Sequence, residues 1–329
     1  MSDLRHDPIN DQWVAIAKNR NQRPMEFVPM EKRHQQLLCP FCKGNEEQTP
    51  APIAHYDENG LIQSEPKTWT VRVVPNKYPS FSLNGSVDPV SGGESELCGS
   101  SSDHGVQELI IPSPRHITSI SELTEEELKL ALQAAQDRIK DLQSRDDVKH
   151  AMLFMNCRFA AGASLGHIHL QLIGSPVISS HLQNRVDRDL AHRQKHGCAL
   201  IESLTNWEIE QSKRVVELTD SFCVVCPYAS RNPFQVRFIP RSNTGFLQLD
   251  SQVLAELAVH CKNVITSLES QIEEPAYNLL LHLDPLASDH GNWFVELLPR
   301  LTKGAGFELG TDIWVNPVPP ESAAEQLRL

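Results

Sequence analysis

The sequence predicts an α+β fold in which two similar repeats join into one large, mostly antiparallel sheet flanked by helices. Three observations support this prediction. Two stretches of the chain run in parallel, each contains both strand and helix patterns, and the strands alternate apolar with polar residues as half-buried antiparallel strands do. The chain has 329 residues, which is enough for two domains of ordinary size. We expect a first repeat over 1–176 and a second repeat over 177–329.

Each repeat contains a strand that ends at a proline and is followed by a capped helix. The strand covers 107–112 in the first repeat and 235–240 in the second. Thr124 and Glu127 then form the pattern of a capping box, and Asp250 is a favourable N-cap residue. Apolar residues recur at helical spacing behind both caps, so each helix is expected to pack one face against the sheet.

A further strand follows each helix, at 151–155 and at 277–281. Residues 177–200 link the two repeats and are charged enough to form a solvated helix. Residues 82–105 are rich in glycine and serine and contain few large apolar side chains, which indicates a mobile or disordered loop.

The last strand of the first repeat, residues 166–172, is the most informative part of the sequence. His167, His169 and Gln171 alternate with apolar residues, so an extended chain places these three polar side chains on one face. Small, turn-prone residues precede them and suggest that the histidines open onto a cavity. In the matching strand 291–297 of the second repeat, the corresponding residues are Asn292, Phe294 and Glu296. This difference between the repeats favours a chemical role for His167 and His169 over a role as core residues.

The composition excludes several classes of protein. The formal charge of −12 and the absence of a lysine and arginine cluster argue against a nucleic-acid surface. No apolar run approaches the length of a membrane span, and the first thirty residues lack the apolar core of a signal peptide. With eight cysteines in a chain of this length, we expect a reducing cytoplasm and not a disulfide framework.

Cys39 and Cys42 enclose Pro-Phe in a segment with the spacing of a metal-binding knuckle. One such pair supplies only two ligands. His116 and His167 are the candidates for the other two, because the repeat alignment places both at functional positions of the first repeat. If all four side chains bind one ion, they form a structural Zn²⁺ site, one per chain. The alternative is that Cys39 and Cys42 are a redox-active or merely buried pair.

A second pair, Cys223 and Cys226, has the same spacing but lies in a buried strand pattern. Residues three apart in a strand point to opposite faces and cannot chelate one ion without a turn between them. A four-cysteine site that joins both pairs is therefore the second choice.

These motifs together resemble the galactose-1-phosphate uridylyltransferase family, the transferase branch of the histidine-triad superfamily. The central motif is Asn-x₅-Gly-x-Ser-x-x-His-x-His-x-Gln, which starts at Asn156. The resemblance covers essentially the whole chain and implies two histidine-triad-like (HIT-like) repeats. Further matching segments are 5–13, 20–24, 227–234 and 306–321.

The resemblance implies that His169 is the nucleophile of a ping-pong nucleotidyl transfer. Its imidazole would attack the α-phosphorus of UDP-glucose and form a uridylyl intermediate, which a hexose 1-phosphate then accepts. A neutral imidazole is a competent nucleophile near pH 7. Gln171 cannot shuttle a proton, but its amide can donate hydrogen bonds to phosphate oxygens.

The resemblance also implies the binding residues. Arg20 and Arg23 match phosphate-binding arginines, Ser164 matches a serine that contacts the phosphate, and Asn76 and Asn156 match residues beside the nucleoside. The implied zinc ligands are the same four residues that the spacing and the repeats suggest. The positions implied for the sugar phosphate are Lys303, Phe307, Glu308 and Asn316, of which Asn316 is only the nearest amide to an expected glutamine.

Some positions depart from the family pattern. Family members commonly hold a second metal, usually iron, through a glutamate after the active strand and histidines of the second repeat. Here 183–185 contains no glutamate and 293–298 contains no His-x-His, so we expect no iron site. Lys77 stands where an aspartate is common beside the nucleoside. The family is typically a homodimer, and we expect the same here.

Other functions remain as alternatives at this point. The first is an adenylyl-specific relative that acts as an ADP-glucose phosphorylase or as an adenylylsulfate:phosphate adenylyltransferase. The second is a histidine-triad nucleotide hydrolase, against which Gln171 argues because such hydrolases usually carry a third histidine. The third is a zinc-stabilised binding module without enzymatic activity.

Overall fold

The computed structural model describes residues 3–17, 38–62, 68–81, 104–285 and 292–328, which contain fourteen strands and six α-helices. The strands are β1 (Asp3–Asp7), β2 (Gln12–Ile16), β3 (Ala54–Asp57), β4 (Gly60–Leu61), β5 (Val71–Pro75), β6 (Val106–Ile111), β7 (His150–Cys157), β8 (Leu170–Ser175), β9 (Val215–Leu218), β10 (Phe222–Val225), β11 (Val236–Pro240), β12 (Tyr277–Leu283), β13 (Trp293–Pro299) and β14 (Trp314–Asn316). The helices are α1 (Glu125–Gln143), α2 (Ser180–His196), α3 (Leu200–Gln211), α4 (Ser251–Gln271), α5 (Gly306–Thr311) and α6 (Pro320–Leu327).

Eleven strands form one sheet in the order β4-β3-β5-β6-β8-β7-β12-β13-β11-β10-β9. Every neighbouring pair in this sheet is antiparallel. A second sheet has the order β1-β2-β14, with β14 parallel to β2. The predicted α+β fold with one large antiparallel sheet is confirmed.

The large sheet is nearly symmetrical about the pairing of β7 with β12. This symmetry reflects a duplicated order of elements, in which β5, β6, α1, β7 and β8 correspond to β10, β11, α4, β12 and β13. The two halves share a continuous sheet, and α1 packs against α4. The division after residue 176 stays a prediction.

Both predicted helix caps are present. Thr124 Oγ1 accepts a hydrogen bond from the Glu127 N–H at 3.1 Å, and the Glu127 carboxylate accepts one from the Thr124 N–H at 2.8 Å. The Asp250 carboxylate accepts hydrogen bonds from two backbone N–H groups of the first turn of α4. These contacts satisfy N–H groups that have no partner within the helix.

The linker 177–200 contains the predicted helix as α2, and a second helix, α3, begins at its last residue. Gly197 ends α2 because it adopts a left-handed conformation with φ +78°, which glycine tolerates without steric cost. Of the predicted mobile loop, residues 82–103 lie outside the described part of the chain.

Alternating residues of the strands divide the interior into two sides. On β6, Ile110 joins the core beneath α1 and α4, which we call the helix side. Leu109 and Ile111 pack instead with Cys39 and Phe41, and we call this the knuckle side. The middle strands of the first repeat are therefore buried on both faces, and the segment of Cys39 and Phe41 covers the face opposite the helices.

Cys223 and Cys226 separate in the way that strand geometry predicts. Cys226 belongs to the helix-side core, whereas Cys223 packs in a different cluster with residues such as Ile9 and Phe294. Burial raises the pKa of the Cys223 thiol to about 12. Cys223 on β10 and Cys226, which directly follows it, are thus packed as core residues on opposite sides of the sheet.

Among the helices that the structure describes, none has the length and apolar character needed to cross a lipid bilayer.

Candidate active site and metal centre

The two histidines lie at the extended entry to β8, whose regular pairing begins at Leu170. The backbone N–H of Ile168 donates to a main-chain carbonyl of the loop after β6 at 3.0 Å, which holds this entry in place. Ile168 and Leu170 pack in the helix-side core. The alternation of the extended chain therefore puts His169 and Gln171 on the knuckle side.

Four side chains that could bind a metal meet at this entry: Cys39, Cys42, His116 and His167. Their ligand atoms all lie within 4.8 Å of one another. The Nδ1 atom of His167 is 3.6 Å from each sulfur, and Nδ1 of His116 is 3.3 Å from the sulfur of Cys42. Within the described ranges, no other group of three or more such side chains is close enough to share an ion. The structure thus brings together the four ligands expected from the sequence.

The geometry and protonation of this cluster fit a Zn²⁺ ion. A tetrahedral zinc with Zn–S near about 2.3 Å and Zn–N near about 2.0 Å places neighbouring ligand atoms roughly 3.5 Å apart. Nε2 of His167 lies 3.1 Å from the Ser113 carbonyl, so it carries the ring proton and leaves the lone pair of Nδ1 facing the sulfurs. Burial lowers the pKa of His167 to about 4, which keeps the ring in the neutral form that binds metals.

The protonation of Cys42 depends on whether a cation is bound. Burial, together with the neighbouring Cys39, raises the pKa of Cys42 to about 11. A divalent cation between the sulfurs would stabilise both as thiolates. Cys39, Cys42, His116 and His167 can therefore hold a metal such as zinc.

Three hydrogen bonds fix the knuckle of residues 39–42 on the sheet. Asn45 Nδ2 donates to the Cys39 carbonyl at 2.8 Å, and the backbone N–H of Lys43 donates to the Pro114 carbonyl at 3.0 Å. The guanidinium of Arg72, only 1% exposed, donates to the Pro40 carbonyl at 3.3 Å. The knuckle is therefore tied both to β5, which carries Arg72, and to the loop after β6.

Phe41 connects the knuckle to the second histidine. Its ring meets the His169 ring edge to face, with centroids 5.0 Å apart, and the His167 ring at 6.0 Å. Since Phe41 is buried, it restricts the movement of both imidazoles. The metal cluster and the candidate nucleophile thus belong to one packed unit.

The tautomer of His169 suits a nucleophile. Its Nδ1 lies 3.0 Å from the carbonyl of His167, which can only accept a hydrogen bond, so Nδ1 carries the proton and Nε2 carries the lone pair. Burial lowers the pKa of His169, and the His167 carbonyl opposes that effect. The ring is therefore neutral and fixed in orientation at neutral pH.

Gln171 follows on the same face of β8 and is half-buried. Its Oε1 accepts a hydrogen bond from Gln107 Nε2 at 3.3 Å. This contact leaves the NH₂ group of Gln171 as its donor to a ligand.

Two predicted ligand-binding residues lie in or after β7. The register of β7 with β8 continues to place Asn156 opposite His169, and its Oδ1 accepts a hydrogen bond from Asn278 at 2.8 Å. Ser164 is exposed in the loop that leads to the histidines. In the same loop, Gly162 has φ +92°, and a Cβ there would lie 3.6 Å from Asn156 Nδ2.

Asn76 follows β5 and is half-buried. Its Oδ1 accepts a hydrogen bond from the Tyr78 N–H at 2.9 Å, which shapes the turn that it begins. Its backbone N–H donates to the Gln107 carbonyl at 2.9 Å, so this turn is attached to β6. Arg20 and Arg23 lie outside the described residues.

The predicted sugar-phosphate residues have different environments. Lys303 and Phe307 are exposed, whereas the Glu308 carboxylate accepts a hydrogen bond from the Ala305 N–H at 3.0 Å and caps α5. Asn316 is fully buried. Its Nδ2 donates to two backbone carbonyls and its Oδ1 accepts from a third backbone group, so the amide holds the tail against the second repeat. The structure does not leave Asn316 free to bind a ligand, because its amide is already occupied.

In the second repeat, the matching positions form a buried ionic network. Glu296, which corresponds to Gln171, accepts from Arg237 Nε at 2.8 Å and lies 3.1 Å from His282 Nε2. The other ring nitrogen of His282 faces the guanidinium of Arg185 at 3.0 Å, and its ring stacks on Phe294 with centroids 4.5 Å apart. An arginine thus occupies one nitrogen of His282, and the absence of a second metal stays a prediction.

Sequence reasoning missed several contributors to the site. Ser113 could not be found, because it acts through a backbone carbonyl that any residue supplies. Phe41 was visible inside the Cys-Pro-Phe-Cys motif, but nothing in the sequence places its ring on His169. Gln107 carries a usable signal, since the repeat alignment matches it with Gln235.

Sequence similarity places the chain in a known family. Residues 1–179 match the family of the galactose-1-phosphate uridyl transferase N-terminal domain. An ADP-glucose phosphorylase of Arabidopsis thaliana is 28% identical over 340 residues, which cover 99% of this chain and 92% of that protein. A galactose-1-phosphate uridylyltransferase of Thermotoga maritima is 26% identical over 341 residues, which cover 100% and 98%.

Solved structures show the same fold over the whole chain. The A. thaliana ADP-glucose phosphorylase with bound ADP-glucose superposes with a TM-score of 0.83 at 26% identity, covering 100% of this chain and 99% of that one. A uridylyltransferase superposes with a TM-score of 0.75 at 20% identity, covering 99% and 97%. The chain is thus a nucleotidyltransferase of the galactose-1-phosphate uridylyltransferase family, within the histidine-triad superfamily.

Proposed function

We propose that this protein transfers a nucleotidyl group through a covalent intermediate on Nε2 of His169. The observation that carries the proposal is the hydrogen bond from His169 Nδ1 to the His167 carbonyl. It leaves a neutral, oriented ring whose free lone pair lies on the knuckle side, beside Gln171. Such an arrangement suits nucleophilic attack on phosphorus near pH 7.

The proposed reaction has two balanced steps. First, Nε2 of His169 bonds to the α-phosphorus of a nucleoside diphosphate sugar, the bond to the bridging oxygen breaks, and sugar 1-phosphate leaves with the electron pair. The ring then carries a positive charge, which its Nδ1–H shares with the His167 carbonyl. Second, an acceptor phosphate oxygen bonds to the same phosphorus, the P–N bond breaks, and neutral His169 returns.

The side chains around the phosphate assist in defined ways. The NH₂ group of Gln171 donates to a non-bridging oxygen, where negative charge increases during transfer. Cys39, Cys42, His116 and His167 would hold a Zn²⁺ ion, which would supply structural rigidity. Through the ring contact of Phe41, that rigidity extends to His169.

For the donor, we propose ADP-glucose, with inorganic phosphate as the acceptor. The A. thaliana ADP-glucose phosphorylase supports this choice, with 28% identity in sequence and a TM-score of 0.83 in structure. The tail agrees, since Asn316 is fully buried and Glu308 caps its own helix. Two of the four residues expected to bind a sugar phosphate are thereby engaged within the chain, which leaves fewer side chains to select an acceptor sugar.

The second candidate is transfer from UDP-glucose to a hexose 1-phosphate, the function that the sequence motifs favour. It is supported by the T. maritima galactose-1-phosphate uridylyltransferase, of which this chain covers 98% at 26% identity. Lys303 and Phe307 remain exposed and are available to a sugar phosphate or to a second copy in the expected homodimer.

A substrate competition distinguishes the two candidates. The enzyme would receive equimolar ADP-glucose and UDP-glucose, with inorganic phosphate in one reaction and galactose 1-phosphate in the other. We expect ADP from the first reaction and much slower formation of UDP-galactose in the second. Predominant UDP-galactose would replace the first candidate with the second, and free AMP or UMP without an acceptor would identify a hydrolase.

A further inference from the structure

Gln107 lies between Gln171 and the segment that follows β5. Its Oε1 accepts a hydrogen bond from the backbone N–H of Ser80 at 2.7 Å, and its Nε2 donates to Oε1 of Gln171 at 3.3 Å. A backbone N–H can only donate, so the contact with Ser80 determines which end of the Gln107 amide faces Gln171. The Gln171 amide is oriented in turn, with its NH₂ group left for another partner.

The second repeat contains the same arrangement at its matching positions. Gln235, the counterpart of Gln107, accepts through Oε1 from the backbone N–H groups of Arg231 at 2.7 Å and Asn232 at 3.2 Å. Its Nε2 donates to Glu296 at 2.7 Å. A carboxylate only accepts hydrogen bonds, so the direction of this contact is unambiguous.

The strand register is also the same in both repeats. Gln107 lies opposite Ile173, two residues beyond Gln171 on β8. The pairing of β11 with β13 continues to give Gln235 the same diagonal relation to Glu296. The glutamine therefore donates to an oxygen of the residue at the third position of the triad in both copies, whatever that residue is.

We propose that Gln107 is a positioning residue that holds the Gln171 amide with its NH₂ group toward the transferred phosphate. This inference rests on the proposed transfer through His169. The main-chain carbonyl of Gln107 also accepts a hydrogen bond from the backbone N–H of Asn76 at 2.9 Å. It therefore links the turn expected beside the nucleoside to the amide expected at the phosphate.

The first variant, Gln107→Glu, reverses the hydrogen-bonding preference at nearly constant size. The oxygen that faces Gln171 would then accept, and the Gln171 amide would turn and present its own oxygen to the phosphate. We expect nucleotidylation of His169 by ADP-glucose to become about 100-fold slower in single turnovers, as when an oxyanion donor is lost. The concentration for half-maximal rate and the zinc content should change little.

Gln107→Met is the matched variant that removes both hydrogen bonds without adding charge. It leaves the Gln171 amide free to adopt either orientation, so we expect a loss of about fivefold to tenfold in the same rate. If Gln107→Glu does not fold, this smaller loss in Gln107→Met tests the proposal instead. An unchanged rate for a folded Gln107→Met would overturn the proposal.

A double-variant comparison separates amide orientation from the added negative charge. If Gln107→Glu acts through the Gln171 amide, it causes no further loss once Gln171→Met is present. An equal loss in both backgrounds would show direct repulsion of the phosphate and overturn the proposal. Equal nucleotidylation rates for Gln107→Glu and wild type would also overturn the proposal. If neither ADP-glucose nor UDP-glucose labels the wild-type enzyme, the proposed function itself fails.

Discussion

At the residue scale, single side chains acquire their roles from the groups around them. Glu296 and Gln171 occupy matching positions, yet Glu296 is almost fully buried and bound by Arg237, whereas Gln171 keeps a free donor. Although burial alone would raise the pKa of Glu296, the Arg237 guanidinium and the His282 ring hold it well below its usual range. At this position we propose that the first repeat contacts the transferred phosphate, whereas the second contains a buried ionic network.

We therefore expect Glu296→Gln to lower the free energy of unfolding at pH 7 by about 2 kcal/mol, because it removes one of the two buried carboxylates, Glu296 and Asp7, that pair with Arg237. A carboxylate whose pKa is depressed by folding stabilises the protein above its unfolded pKa of about 4.5 and loses that effect as the pH falls further. The difference between wild type and variant should thus shrink below pH 4.5.

Denaturant titrations at pH 7 and at several acidic pH values measure this difference. Glu273→Gln, which changes an exposed carboxylate after α4, is the control and should have little effect. A variant as stable as wild type at pH 7 would contradict the assignment of Glu296 as a stabilising ion pair.

At the scale of elements, the metal cluster joins the knuckle to the entry of β8. Cys39→Ser should remove bound zinc and lower the free energy of unfolding by more than about 3 kcal/mol, since structural metal binding is coupled to folding. Zinc is measured by elemental analysis and stability by thermal unfolding. Cys198→Ser changes a half-buried cysteine outside the cluster and should keep one zinc per chain. Full zinc content in Cys39→Ser would show that the ligand assignment is wrong.

Much of the metal-binding cluster could be predicted from the sequence. Cys39 and Cys42 follow a local spacing, whereas the choice of His116 and His167 as the other two ligands needed the repeat alignment. The contact of Phe41 with His169 could not be predicted, because it depends on how the knuckle folds over the sheet. Cys223 shows the value of strand geometry, since the same spacing on a strand separates the thiols.

At the scale of the whole molecule, the two repeats share one sheet and one helix-side core. Tyr277 on β12 spans the junction: its hydroxyl accepts from the Ile120 N–H at 3.0 Å and lies 3.2 Å from Ser119 Oγ. Tyr277→Phe leaves the Ile120 N–H without that partner and should cost about 1–3 kcal/mol. Calorimetry should show one transition for both repeats, with Tyr78→Phe as an exposed control. Two separate transitions would contradict a shared cooperative core.

The duplication itself was visible in the sequence, because both copies keep their strands, caps and helix periodicity. The joining of β7 to β12 at the centre of the sheet was not, since antiparallel pairing between distant strands carries no local signal. The environment of Asn316 in the tail was harder to predict. In sequence Asn316 resembles a ligand-binding amide, and only the folded chain shows that its amide is hydrogen-bonded to backbone groups.

The central claim is that His169 becomes covalently nucleotidylated, and intact-protein mass spectrometry tests it most directly. Wild type and His169→Asn would each be incubated with ADP-glucose and UDP-glucose and then digested for peptide mapping. We predict one nucleotidyl group per chain on the peptide that contains His169, and no adduct in the variant. An adduct on another residue, or an equal adduct in His169→Asn, would contradict the account.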